Sequence, residues 1–241
     1  MPKTPVWRAI ATTLTDEIAE GHYRPGDKLP TEATLAARFG VNRHTVRRAL
    51  SDLSDQGLTH ARRGSGVFVM AKPTDYHIGK RVRFHQNLTD AGRMPTKRIL
   101  TLQNRPCDQD EAEALRIPAG GTVHVYEGLS LSDDTPVALF RSVFPADRLP
   151  DLPDHLSHFK SVTKALHASG VSDYTRASTR LTAKTATATQ ALQLSISEGA
   201  PILRTVAINV DLQGQPVEFG HTWFVGDRIT LVLDDQVAGI A

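Results

Sequence analysis

The sequence predicts an α+β chain of two domains, and three observations predict it. Apolar residues recur at helical spacing in three short segments before residue 54. Two strand-like runs then flank a glycine-rich tip within residues 58–70. In the second half, the chain resembles itself at an offset of 80 residues, and each copy reads as strand, turn, strand.

The first helix is predicted over residues 6–20, where Val6, Ile10, Leu14 and Ile18 recur every four residues and Gly21 ends the run. Arg24-Pro25-Gly26-Asp27 is a turn signal. Pro30-Thr31 opens a second helix with Thr31 as N-cap, and Leu35, Ala36 and Phe39 form its core face. Gly40 closes it. Asn42 can cap a third helix whose buried stripe is Val46, Ala49, Leu50 and Leu53. Two helices joined by so tight a turn are a helix-turn-helix. Arg43, His44 and Arg47 lie off the stripe, near the N-terminus of the third helix. That is where recognition helices present side chains to base edges, and arginine pairs bidentately with guanine. Thr45 and the free first-turn N–H groups can hold phosphate.

Gly57 ends the third helix. Leu58–Ala61 and Val67–Met70 read as a hairpin around Arg62-Arg63-Gly64-Ser65-Gly66. The glycines let such a tip enter a narrow groove, and the arginines favour its negative potential. This is the wing of a winged helix-turn-helix. Residues 6–70, with PGDKLPTEATLAARFGVNRHTVRRALSDLSDQGLTHARRGSGVFV at their centre, resemble the DNA-binding domain of the GntR superfamily. The resemblance implies that Thr31, Arg43, Thr45, Arg47, Arg63, Gly64 and Gly66 contact operator DNA. It further implies binding as a dimer, one recognition helix per half-site. His44 departs from the family's usual small or hydroxylated residue.

Domain boundaries are expected at 1–71 for the DNA-binding domain, 72–80 for a polar link and 81–241 for the second domain. There Pro136-Val137 aligns with Pro216-Val217, and Asp147-Arg148 with Asp227-Arg228. Turns fall at Asp133-Asp134 and Gln213-Gly214. Helix-like segments precede each copy at Glu111–Leu115 and Thr189–Leu194, and strand-like runs precede those at Arg98–Leu102 and Thr175–Ala183. One antiparallel sheet with pseudo-two-fold symmetry and helices on one side is the expected arrangement. Residues 76–235 resemble the effector-binding (UTRA) domain of the HutC subfamily, whose fold is shared with chorismate lyase. Pro216–Phe224 followed by Gly226-Asp227-Arg228 carries the likeness. Such a domain binds a small, usually anionic metabolite and supplies the dimer contact.

Strand alternation puts Glu218, Gly220, Thr222 and Phe224 on one face, and Val217, Phe219, His221 and Trp223 on the other. Family pockets use the face of Glu218, and the partner hairpin offers Gly128, Ser130, Phe140 and Ser142 there. Sugar-phosphate-sensing relatives carry arginines at the positions of Gly128 and Ser130, which argues against a sugar phosphate here. Residues 80–85 gather Lys80, Arg81, Arg83 and His85, with Phe84 between them. Such a loop can hold phosphate or phosphonate, or it can be a basic link to DNA or solvent. With Asn87-Leu88 and Gly92-Arg93 it resembles the phosphonate-metabolism regulators of the subfamily. A ligand-responsive repressor of phosphonate genes is the expectation. The alternative is a HutC-type repressor that answers a carboxylate such as a histidine-degradation intermediate. Arg180 is left open, pointing into the pocket or away from it.

Composition fits this reading. Hydrophobic residues make up 40% and charged residues 22% of 241, ordinary globular values. Residues 1–73 hold 11 Lys+Arg against 7 Asp+Glu, and the rest 17 against 19, so only the front half is basic. No apolar run approaches the roughly 18 residues of a membrane span, and a cytoplasmic protein is expected. Cys107 is the only cysteine, which excludes an intrachain disulfide and a cysteine zinc site. His155 and His158 have no third ligand nearby in sequence. No phosphate loop, nucleophile elbow or HExxH motif is present, so neither an enzyme nor a cofactor or metal is expected.

Overall fold

A computed structural model describes residues 5–62, 64, 66–70, 73–79, 88–89, 92 and 94–233. The chain divides into two compact units, Met1–Lys72 and Pro73–Ala241.

The first unit holds α1 (Val6–Ala19), α2 (Glu32–Phe39), α3 (Arg43–Asp55), β1 (Thr59–Arg62) and β2 (Gly66–Val69). Thr31 Oγ1 accepts from Thr34 N at 3.2 Å and caps α2, while Asn42 Oδ1 accepts from Thr45 N at 2.9 Å and caps α3. Each cap contributes about 1 kcal/mol. Gly40 takes the left-handed conformation that turns α2 toward α3, which starts three residues later at Arg43. The stripe Val46, Ala49, Leu50 and Leu53 is buried against Ile10, Ala11, Leu14 and Leu35. Val6, expected on the core face of α1, is exposed, and its neighbour Trp7 packs on the core instead. β1 and β2 pair antiparallel, one residue later and one earlier than the sequence runs suggest. Leu29 N donates to Val67 O, and Val69 N to Asp27 O, so the segment before α2 tethers the wing.

In the second unit, β4 (Pro95–Pro106), α4 (Gln109–Leu115), β5 (Thr122–Ser132) and β6 (Thr135–Pro145) form one repeat. β7 (Tyr174–Thr185), α7 (Ala188–Leu194), β8 (Pro201–Asp211) and β9 (Pro216–Val225) form the second. The sheet order is β4-β5-β6-β9-β8-β7, all antiparallel, with the pseudo-two-fold between β6 and β9. The repeats agree in detail. α4 and α7 both open with capping boxes, Asp108 with Glu111 and Thr187 with Gln190, and both close on left-handed residues, Arg116 and Ser195. Bulges recur where Val137 and Val217 are each the extra residue. The β5–β6 turn is the two left-handed residues Asp133 and Asp134, the type I′ geometry that matches strand twist.

Three expectations are corrected. Residues 74–77, placed in the link, are strand β3 (Thr74–His77), which pairs in parallel with β10 (Ile229–Val232). Helices cover both faces of the sheet, not one. α4 and α7 pack against Val123, Val125, Val143 and Phe219 or Leu129, Leu131 and Val225. α5 (Leu152–Phe159) and α6 (Val162–Ala168) pack on the opposite face, over Tyr126, Phe140 and Phe144. Val217 joins that second cluster, because the bulge breaks the alternation and turns it to the side of Glu218.

Candidate functional site

In the first unit, Arg43, His44 and Arg47 are exposed at the start of α3, off the buried stripe. Arg47 is oriented: its Nε and Nη2 donate to Glu32 Oε1 at 2.9 Å and Oε2 at 2.7 Å. That hydrogen bond holds the Glu32 carboxyl below the ordinary carboxylate range. Thr45 donates its hydroxyl to Asn42 Oδ1 at 3.0 Å, and Thr31 is exposed at the start of α2. Gly64 and Gly66 lie in or beside the wing turn with φ of 73° and 116°. A Cβ on Gly66 would meet only the flexible end of Lys28, so it is the left-handed conformation that fixes the residue as glycine. Arg63 lies outside the described residues.

In the second unit, the face of Glu218 has apolar cover at two ends. Leu152, Leu156 and Leu166 of α5 and α6 close the end at Phe144 and Val217. Tyr76, Ile78 and Ile229 close the end at Ala138 and Phe224. Between them, register places Ala207, Gly220 and Ser142 in one row and Thr205, Thr222 and Phe140 in the next. These side chains, apart from Phe140, are small, so they leave a shallow floor in the sheet.

Charged groups converge on that floor. Glu218, 9% exposed, folds over Gly220. Its Oε1 accepts from Ser142 Oγ at 2.6 Å and its Oε2 from Asn209 Nδ2 at 2.6 Å. Asn209 in turn accepts from Arg176 Nε at 2.9 Å. From the other repeat comes Lys97, whose Nζ lies 4.7 Å from the Phe140 ring centroid and 5.9 Å from that of Tyr126. Burial pushes the Lys97 ammonium down to about 8, against the pull of the Glu218 carboxylate. The Tyr126 hydroxyl is buried without a hydrogen-bond partner among the described residues, and burial pushes it up to about 12. Phe140 can lie flat here because its partner on β5 is Gly128, where a Cβ would meet Phe140 Cζ at 2.8 Å. This floor can seat a small polar molecule between a cation and a carboxylate, with aromatic rings at its side.

Residues 7–69 match the family model "Bacterial regulatory proteins, gntR family", and residues 90–230 match the model "UTRA domain". This chain belongs to the GntR family and carries a UTRA domain. It is 36% identical over 230 residues to the "Uncharacterized HTH-type transcriptional regulator RB1450" of Rhizobium meliloti, covering 95% of this chain and 94% of that protein. It is 35% identical over 234 residues to the "Probable transcriptional regulator PhnF" of Escherichia coli, covering 95% and 94%. The crystal structure of PhnF from Mycobacterium smegmatis shares the fold, with a TM-score of 0.67 at 24% identity over 93% of this chain and 98% of that one. The family is one of transcriptional regulators, with a DNA-binding and an effector-binding domain. No helix among the described residues is long and apolar enough to cross a membrane.

Within this GntR-family chain, Ser130, Phe140 and Glu218 share the predicted face. Phe224 shares it too but sits under Tyr76, with ring centroids 5.0 Å apart, inside the apolar cover. Arg81, Arg83, Phe84 and His85 lie outside the described residues. Arg180 pairs with Val206 on the opposite face, and Arg176 is the β7 arginine on the face of Glu218. Sequence reasoning missed Lys97, Tyr126, Asn209 and Arg176. The signal for Lys97 was its position two residues before Ile99, on the inward phase of β4.

Proposed function

We propose that the chain is a cytoplasmic homodimeric repressor that releases operator DNA when its UTRA domain binds a small anion of the phosphonate class. The observation that carries the DNA role is the exposed triad Arg43, His44 and Arg47 at the start of α3, set against a fully buried stripe on the same helix. These three side chains read base edges in the major groove. Thr31, Thr45, Gly64, Gly66 and Arg63 hold the phosphate backbone and the wing contact. Ser130, Phe140 and Glu218 form the floor of the effector site, Phe224 closes its end, and Arg81, Arg83, Phe84 and His85 supply further anion contacts.

Two things support the phosphonate class: the likeness of residues 80–93 to phosphonate-metabolism regulators, and 35% identity to PhnF of E. coli. The repressor reading is supported by 28% identity over 229 residues to the "HTH-type transcriptional repressor NagR" of Bacillus subtilis, covering 95% of this chain and 93% of that protein.

Effector and operator are coupled reciprocally: whatever factor the ligand removes from operator affinity, the operator removes from ligand affinity. Titrating 2-aminoethylphosphonate into the protein, with and without its own upstream promoter fragment, tests this. The same factor should emerge from both directions. Release of DNA by a ligand whose affinity is indifferent to that fragment would refute the mechanism.

A further inference from the structure

The repeats give each residue on the face of Glu218 a counterpart, and one pair of counterparts differs in charge. In the second repeat, Arg176, Asn209 and Glu218 are neighbours across β7, β8 and β9. Arg176 bonds Asn209 and Asn209 bonds Glu218, so the cation is linked through an amide to a carboxylate. In the first repeat, the same places across β4, β5 and β6 belong to Lys97, Ser130 and Ala138. The equivalence is fixed by the bulges, since Val137 precedes Ala138 as Val217 precedes Glu218, each as the extra residue. A methyl group thus stands where the other repeat has its carboxylate.

Lys97 therefore has no bonded counter-anion in its own repeat, and only the Glu218 carboxylate of the other repeat acts on it, through space. Among the described residues its ammonium makes no hydrogen bond or ion pair, and it stands over the rings of Phe140 and Tyr126. A cation with no bonded partner at a desolvated position is costly and is retained where something else supplies the anion. The Tyr126 ring, 5.9 Å from the ammonium at its centroid, carries a second orphan, its buried hydroxyl.

We propose that Lys97 is the anion anchor of the effector site. The acid group of a small ligand takes the role that Glu218 plays for the other repeat, and the Tyr126 and Ser130 hydroxyls donate to it. From there the ligand extends across Gly220 and presents an amine or hydroxyl to Glu218, so the effector is a short anion with a hydrogen-bond donor at its far end. This assignment rests on the reading that the face of Glu218 holds the effector.

Isothermal titration of the full chain tests it with four probes. 2-Aminoethylphosphonate, phosphoethanolamine and β-alanine carry phosphonate, phosphate or carboxylate beside an amine, and ethylphosphonate lacks the amine. At least one amine-bearing probe should bind more tightly than ethylphosphonate. Lys97→Met should weaken that probe by about 10- to 100-fold, the worth of a buried charge-assisted contact, and Lys97→Arg should restore much of it. Glu218→Gln should erase the preference for the amine. Ala138→Glu, which restores the missing carboxylate, should exclude the probe in a protein that still folds; if it does not fold, Lys97→Met decides. Binding by Lys97→Met within about threefold of wild type, or no binding of any probe to wild type, overturns the anchor. Promoter binding is read separately. A chain that binds its promoter but whose ligand response ignores Lys97 loses the anchor and keeps the regulator, whereas a chain that binds no promoter loses the regulator.

Discussion

Arg148 donates from Nη1 to the carbonyl oxygen of Pro216 at 2.9 Å, and its repeat counterpart Arg228 donates to the carbonyl of Pro136. Each repeat thus ties down the start of the other's last long strand, across the pseudo-two-fold. Arg228 also bonds the carbonyls of Leu194 and Ser195 and so caps the end of α7. Its side chain is 9% exposed, against 40% for Arg148. Arg228→Ala should destabilise the second domain by about 2–4 kcal/mol, because three carbonyls, that of Leu194 buried, lose a charged donor that is itself buried. Arg148→Ala should cost about 1 kcal/mol or less, since water reaches its site. Thermal unfolding of the two variants side by side checks the ranking.

The two glycines on the face of Glu218 should behave differently. A Cβ at Gly128 would meet the Arg98 carbonyl at 2.6 Å and Phe140 at 2.8 Å, so Gly128→Ala should cost about 1–3 kcal/mol and displace the ring that seats Lys97. At Gly220 the nearest atom to an added Cβ is Glu218 Oε1 at 3.6 Å. Gly220→Ala should leave the melting temperature nearly unchanged while narrowing the floor and weakening ligand binding. Calorimetry and ligand titration of both variants separate the two effects.

Lys97 should impose a pH dependence on stability. Its folded pKa is lowered from 10.5 to about 8 by burial, so between those values the unfolded chain holds a proton that the folded chain has released. Stability rises with pH in that window. Below about pH 8 both states are protonated and the folded protein carries the full cost of the buried charge. Lys97→Met should therefore be more stable than wild type at pH 7, and the advantage should shrink as pH rises from about 8 toward 10.5. Melting curves across that range measure the difference.

Arg47 is held by Glu32, and in the proposed complex that carboxylate would face the polyanion. Glu32→Gln removes a repulsion and an orienting partner together. Binding to random duplex should strengthen, while the ratio of operator to random affinity should fall. Anisotropy titrations on both duplexes, repeated at two salt concentrations, distinguish these effects.

The first unit was legible in the sequence because its signals are local. Gly40 and Asn42 bracket a turn with Val41 alone between them, and Val46–Leu53 carries the helical period. The repeat was legible because Arg148 and Arg228 tie Pro216 and Pro136, which keeps Pro-Val and Asp-Arg at matched spacing. What was missed is non-local. β3 is four residues whose partner β10 lies some 150 positions away, so no pattern within residues 72–80 marks it as a strand. α5 and α6 are short helices that show their apolar faces only against Phe144 and Tyr126. Arg176 and Val217 sit where bulges shift the alternation, and a phase count along the strand fails there. Lys97 reads as a solvated strand residue until Ala138 is set beside Glu218.

The central claim is that the residues opening α3 read bases. The direct measurement is the affinity of wild type and Arg43→Ala for the chain's own upstream promoter fragment and for a random duplex of equal length, at one moderate salt concentration. Arg43→Ala should lose about 1–3 kcal/mol on the promoter fragment and far less on random DNA. An equal loss on both duplexes would contradict base reading by this helix.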